Sequence, residues 1–393
     1  MGGDVAVESL SFHRKLGHKR ANLRKGHDDK LEQAQKLRSD RVSKLPQEQT
    51  ESNGTADFAP GWYVVAATRE IGTKPRPFLL NGLPLVTFRN ERGQSVTLLD
   101  RCAHRNAPLS AGRVVGENIQ CHYHGWEFDG TGACRSVPGL CGEPDHPSRR
   151  VPSFACRDSQ GWVWVYSEAD VIPESEPYRI PCADQPGYLT IRQRLEMPGP
   201  LDAVAENALD VPHTAFVHRG LFRKDRDRKL IEVVIREMDG GVEAQFIGEE
   251  RPKGLVGRLL APQGGEVSHW DRFILPCVAQ VEYQLSDRSH LVTTAALTPR
   301  TSTVTDLFAT VAVKVPVPNP ILRSIFKPVA MRILRQDIEI LRRQTEQVKR
   351  FGTEEFASTE IDVLGLRIKK LLREAASGKA GAAHEERRIK MLV

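Results

Sequence analysis

Between Trp62 and Asp170 the apolar residues come in short runs. "WYVVAATREI", "FLLNG", "PLVTFRNERGQSVTLLD" and "GWVWVYSEAD" are rich in β-branched and aromatic residues and are broken by Gly, Asn and Pro. Such runs predict strands, and their close spacing predicts a small antiparallel β domain. A proline-rich bridge, "VIPESEPYRIPCADQPG", follows. Beyond it the pattern becomes mixed. "EVVIREMDGGVEAQFIGEE" predicts a hairpin around Asp239-Gly240-Gly241. "HLVTTAALTP" and "LFATVAVKVP" predict further strands, while "SIFKPVAMRILRQDIEILRRQTEQVKRFG" and "IDVLGLRIKKLLREA" carry helical periodicity. Residues 1–57 are polar and end in "LPQEQTESNGTAD", a linker composition. The tail "GKAGAAHEERRIKMLV" reads as frayed. The expected organisation is an arm over 1–57, a β domain over 58–170 and a mixed domain over 171–393. The fold class is α+β.

Composition narrows the function. The 393 residues, 40% of them hydrophobic, suffice for about two domains with real cores. No run of about 18 apolar residues is present, so no membrane-spanning helix is expected. "MGGDVAVESLSFHRKLGHKR" lacks the apolar stretch of a secretory signal. Seven cysteines, without scaffold-like spacing, predict a reduced, cytoplasmic setting. The net charge of +6 is modest. Arg14, Lys15, Lys19, Arg20, Arg24 and Lys25 are soon followed by Asp28, Asp29 and Glu32, the pattern of a solvated arm. No aromatics interleave these charges, which counts against a nucleic-acid partner.

The strongest chemical signal is "CAHRNAPLSAGRVVGENIQCHYHGW". It holds Cys102-x-His104, then 16 residues, then Cys121-x-x-His124. Two Cys-plus-His pairs suit either a zinc ribbon or a Rieske [2Fe–2S] cluster, in which two thiolates hold one iron and two imidazoles the other. The spacing and the flanking "APLS" and "HGW" resemble the Rieske pattern. That resemblance makes Cys102, His104, Cys121 and His124 the ligands and leaves His122 a loop residue. Respiratory Rieske proteins carry two further cysteines and a serine here. This chain has Ala107, Tyr123 and Trp126 at those positions, which resembles the lower-potential oxygenase type. Cys134, Cys141, Cys156, Cys182 and Cys277 read as ordinary thiols.

A second stretch, "ENALDVPHTAFVH", places His213 and His218 five apart. On a helix that is a rotation of about 500°, so the rings would not share a face. His13 and His18 have the same spacing, and spacing alone decides nothing. The stretch resembles the motif E/D-N-x-x-D-x-x-H-x₄-H of Rieske non-haem iron oxygenases. It follows the cluster motif in the order of that family, over roughly residues 60–375. "APLS" and "HGW" resemble the single-component vanillate demethylase and pheophorbide oxygenase type. The resemblance implies that His213 and His218 bind Fe(II) with a carboxylate from a late helix, Asp337 in "RILRQDIEILRRQ". Glu339 is the rival, about 200° away on the same helix. Two imidazoles and one carboxylate leave a face of the metal open to dioxygen and substrate. Pro212 breaks helical geometry and allows the two rings to converge. Asp210 is implied to link His213 to His124 of a neighbouring subunit, against a plainer reading as a helix cap. Asn207 is implied to line the iron pocket. Glu206 falls at the motif's first position.

The implied fold is an N-terminal antiparallel β Rieske domain followed by a helix-plus-antiparallel-sheet, helix-grip-like catalytic domain. The implied activity uses dioxygen and electrons from NAD(P)H, delivered by a separate flavin reductase, a ferredoxin or both. No GxGxxG opens a strand–helix unit in this chain. Electron transfer between subunits implies a head-to-tail homotrimer. The expected substrate is a hydrophobic ring compound (aromatic, steroid or terpenoid) that is monooxygenated or demethylated. Its pocket is expected from residues near 200–220, 255–310 and 320–337, including Leu255, Val256, Leu259, Leu260, Phe273, Ile274 and Leu275, which also suit a plain core. The alternatives are cis-dihydroxylation of an aromatic ring and, in a different class, a zinc-binding interaction module with a basic arm.

Overall fold

A computed structural model describes residues 58–218, 228–249, 267–286, 288–379 and 385–393. The first part is built from ten short strands: β1 (Trp62–Ala67), β2 (Arg76–Leu80), β3 (Leu83–Arg89), β4 (Ser95–Leu99), β5 (Arg113–Val115), β6 (Asn118–Gln120), β7 (Glu127–Phe128), β8 (Cys134–Ser136), β9 (Ser153–Ser159) and β10 (Trp162–Ala169). They form a six-stranded sheet in the order β1-β10-β9-β4-β3-β2 and a four-stranded sheet in the order β5-β6-β7-β8. All six residues of β1 are buried, which explains why its sequence shows no alternation. Asn81-Gly82 turns β2 into β3, with φ of 48° and 78°. These are the left-handed values that a two-residue hairpin turn demands. The small sheet holds out the two loops that carry Cys102 and Cys121.

The second part is an eight-stranded sheet of β11 (Leu189–Pro198), β12 (Leu230–Met238), β13 (Gly241–Ile247), β14 (Ser268–Ile274), β15 (Val278–Ser286), β16 (Ser289–Thr301), β17 (Val304–Lys314) and β18 (Glu386–Leu392). Its order is β11-β17-β16-β15-β14-β13-β12-β18, antiparallel throughout. One face rests on the first part. Trp62, Trp162 and Trp164 pack there with Ala296 and Phe308, and Trp162 Nε1 donates to Thr310 Oγ1 at 2.8 Å. Among the described residues, the other face meets three helices, α1 (Leu201–Leu209), α2 (Asn319–Phe351) and α3 (Gly365–Ala376). Residues of α1, α2 and α3 share one core cluster with that face. The start of α2 seals a smaller cluster through Leu322, with Leu189, Leu285 and Val313. Pro328 interrupts the front half of α2, and Gly352 ends the helix in the left-handed conformation.

Between those two clusters the sheet is less well covered. Ile191, Val311, Thr293 and Val281 form one row across β11, β17, β16 and β15. All four are only half-buried, although the strands are long and three of them internal. Among the described residues, this row is the part of the helix-covered face that is least closely packed.

The α+β class and the order of the two parts match the sequence reading. The hairpin pairs Met238 with Gly241 and turns at Asp239-Gly240. The tail departs from it. Rather than fraying, Glu386–Leu392 pair residue for residue with Leu230–Arg236 of β12, and Met391 is 2% exposed. The reason is tertiary: "RRIKMLV" alternates weakly, and only the open edge of β12 gives it a partner.

Candidate metal centres

The loops after β4 and β6 are built alike. Cys102 N–H donates to Ala107 O, and Asn106 N–H returns to Cys102 O at 3.0 Å. Cys121 N–H donates to Trp126 O, and Gly125 N–H returns to Cys121 O at 3.0 Å. Each loop turns at the fourth residue after its cysteine, Asn106 with φ 59° and Gly125 with φ 72°. The rings of His104 and His124 meet with centroids 4.5 Å apart. Both thiols are buried. Burial pushes Cys102 up to about 11, against the help of the His104 backbone N–H and with the Cys121 thiol alongside. His104 Nδ1 is buried and has no hydrogen-bond partner. An orphaned ring nitrogen beside two buried thiols fits a metal cluster. His122, Tyr123 and His124 are exposed at the loop tip. The remaining five cysteines are free thiols.

The stretch "ENALDVPHTAFVH" is not one helix. α1 ends at Leu209, Asp210 is extended, and Pro212–Ala215 form a 3₁₀ turn. The break swings both imidazoles to one point, with His213 Nε2 and His218 Nε2 3.2 Å apart. Asp337, near the middle of α2, brings Oδ1 to 3.0 Å from His218 Nε2 and 3.6 Å from His213 Nε2. The three donor atoms lie within 4.8 Å of one another. Adjacent ligands about 2.1 Å from one ion would be about 3 Å apart in octahedral geometry, close to these spacings. Asp337 Oδ1 is buried with no acceptable hydrogen bond. Lone pairs converging in a dry pocket are unfavourable unless a cation sits between them. His213 has its pKa raised to about 9: burial opposes the imidazolium, and the carboxylates of Asp210 and Asp337 outweigh it. Glu339, the rival, is solvent-facing and paired with Arg342 and Arg343.

Asp210 does two things at once. Its Oδ2 accepts the backbone N–H of His213 at 3.3 Å, a capping contact, and lies 3.4 Å from His213 Nδ1. Its side chain is one-third exposed, so it reaches from His213 to the surface. Asn207, Asp210 and His213 border a cavity of about 370 Å³, with Phe246, Leu341 and Met391 among its walls. Glu206 stands exposed on its rim. Of the expected apolar pocket residues, Phe273 is fully buried core, and Ile274 and Leu275 are half-buried against that core. Leu255, Val256, Leu259 and Leu260 lie outside the described residues, as do His13 and His18. Sequence reasoning missed Gln336, whose Oε1 lies 3.0 Å from His218 Nδ1. Nothing but its place beside Asp337 marked it.

Comparison with known proteins agrees with this geometry. Residues 61–154 match the Rieske [2Fe-2S] domain, which decides against zinc in the cysteine loops. Residues 197–378 match the vanillate O-demethylase oxygenase C-terminal domain. The chain is 34% identical over 215 residues to the dicamba O-demethylase oxygenase component of Stenotrophomonas maltophilia, covering 53% of this chain and 62% of that protein. It is 36% identical over 150 residues to the chloroplastic chlorophyllide a oxygenase of Chlamydomonas reinhardtii, covering 38% and 22%. It is 34% identical over 170 residues to the methylxanthine N1-demethylase NdmA of Pseudomonas putida, covering 40% and 47%. The chain thus spans less than two thirds of the length of these relatives. The crystal structure of dicamba monooxygenase bound to 3,6-dichlorosalicylic acid superposes with a TM-score of 0.69 at 24% identity, over 83% of this chain and 98% of that one. The two domain matches, in this order and around these two sites, show that the chain belongs to the Rieske non-haem iron oxygenases of the vanillate O-demethylase type.

Proposed function

We propose that the chain is the oxygenase component of a system that monooxygenates or demethylates a hydrophobic ring compound with dioxygen and electrons drawn from NAD(P)H. The convergence of His213, His218 and Asp337 on one point carries the reading. These three would hold iron, and Cys102, His104, Cys121 and His124 would hold the [2Fe–2S] cluster. When bound, the iron supplies dioxygen activation and the cluster supplies electrons. Every other contribution comes from the chain itself. His218 and Asp337 are buried, which keeps bulk water from the ligands. Asp210 holds His213 in place through the ring and the backbone. Its exposed oxygen is the group we assign to bridge His213 and His124 of a second copy, with Asn207 beside it. Such bridges suit a closed head-to-tail ring, and by likeness to the family we propose a homotrimer. The half-buried row Ile191, Val311, Thr293 and Val281 supports an apolar substrate. Dicamba O-demethylase and methylxanthine N1-demethylase, among its relatives, are named for ring compounds.

A flavin reductase, a ferredoxin or both would deliver the electrons. No helix among the described residues is long and apolar enough to cross a membrane. The free thiols support a cytoplasmic location, although some relatives are named chloroplastic, and cell fractionation decides between them.

The test is a screen of aromatic, steroid and terpenoid compounds with a surrogate reductase, scored by product mass. His213→Ala and Asp337→Asn should each abolish product and leave the cluster spectrum intact. A colourless, zinc-containing protein, or turnover that survives His213→Ala, would sink the proposal. Light scattering should give a mass of about three chains.

A further inference from the structure

Both imidazoles of the second site are pinned through Nδ1, but by different groups. His213 Nδ1 faces the backbone carbonyl of Asp210 and, at 3.4 Å, its carboxylate. His218 Nδ1 faces Oε1 of Gln336 at 3.0 Å. An amide oxygen only accepts hydrogen bonds, so Nδ1 of His218 must carry the proton. Nε2 then presents a lone pair, and it points to where Asp337 Oδ1 and His213 Nε2 also point. We infer that Gln336 is a positioning residue of the mononuclear site, fixing both the tautomer and the ring plane of His218.

This inference rests on the iron-site reading and deepens it. Gln336 and Asp337 are consecutive in α2, so a single helical turn supplies one ligand and orients another. Gln336 reaches the ring across 118 residues of sequence, and it is half-buried rather than solvated. A partner of this kind typically governs metal affinity about 10–100-fold through the ligand it holds. The choice of an amide matters as well. A carboxylate on Nδ1 would make the imidazole a stronger donor, whereas an amide orients it without adding charge. At Nδ1, His213 meets an acid and His218 an amide, so the two imidazoles are unequal.

The experiment uses full-length protein with its cluster loaded and oxidised, and with the mononuclear site stripped by a chelator. Co(II) is titrated by equilibrium dialysis, and its high-spin EPR signal is recorded. Gln336→Leu keeps the bulk and removes the acceptor. It should weaken Co(II) binding about 10–100-fold and alter the signal. Gln336→Glu restores an acceptor and should bind within a few-fold of the native protein. A leucine variant that binds within about twofold of native, with an unchanged signal, overturns the role of Gln336. Loss of binding in both variants, with a lowered melting temperature, shows a merely structural role and also overturns it. Failure of the native protein to bind Co(II) overturns the iron site itself, and that result is read before any variant.

Discussion

The indole of Trp126 lies flat against the imidazole of His104, with centroids 4.6 Å apart and planes 2° from parallel. Stacking holds the ring without occupying either nitrogen, which leaves the buried Nδ1 to face the cluster position. Such a contact is worth about 1 kcal/mol. Trp126→Ala should therefore give a cluster that bleaches several-fold faster under a chelator, with Trp126→Phe between the two. The decay of visible absorbance measures this, and equal rates for all three proteins would refute the stacking role.

His269 sets a pH dependence away from the metal sites. It is 1% exposed, stacked between Phe246 and Tyr283, and bonded to Glu249 at 2.7 Å and Asp271 at 2.9 Å. Burial works against its charge, but Asp271 and Glu249 prevail and raise its pKa from 6.5 to about 9. A raised pKa means that the folded state holds the proton more tightly than the unfolded chain. The stabilisation is complete below about pH 6.5 and is lost as pH rises through about 9, with a ceiling of about 3 kcal/mol. Urea unfolding across that window should show falling stability in the native protein and a flatter profile in His269→Gln.

Gly112 is required for space rather than for its backbone angles. A Cβ there would sit 2.1 Å from the backbone oxygen of Gln120, the residue before Cys121. Gly112→Ala must push β6 and its loop aside, at about 1–3 kcal/mol. The expected result is a lower melting temperature together with reduced iron content in the cluster, read by metal analysis.

Removing residues 385–393 uncovers the edge of β12 and deletes Met391, which is buried and walls the cavity beside His213. Met391 alone accounts for about 2 kcal/mol of burial, so melting should fall by at least about 2 °C. The bared edge should also promote self-association, visible by light scattering. An unchanged monodisperse melt would show that β18 is dispensable.

Much of this molecule could be read from short-range patterns. Trp62–Ala67, Asn81-Gly82 and Asp239-Gly240 announce their strands and turns through side-chain shape and backbone freedom, which are local properties. The motifs proposed to hold the cluster and the iron stand out in the sequence because such chemistry restricts both residue type and spacing. Asp337 needed the family resemblance, since no local feature separates it from Glu339 except the helix face. Gln336, β18 and the half-buried row Ile191-Val311-Thr293-Val281 were not legible. Each acquires meaning from a partner more than 50 residues away or on another strand, and a one-dimensional pattern does not carry that pairing.

Pro328 stands six residues after Leu322 and nine before Asp337. Lacking an N–H, it leaves the carbonyl of Ser324 without its helical donor and softens α2 at that turn. The front of the helix, seated over Leu189 and Val313, is thereby joined to the ligand-bearing part by a joint rather than a rigid rod. A substitution ahead of Pro328 therefore acts on a turn already short of one backbone hydrogen bond, nine residues from Asp337. Packing over Leu189 and Val313 and the placing of Asp337 are thus two tasks divided along one helix.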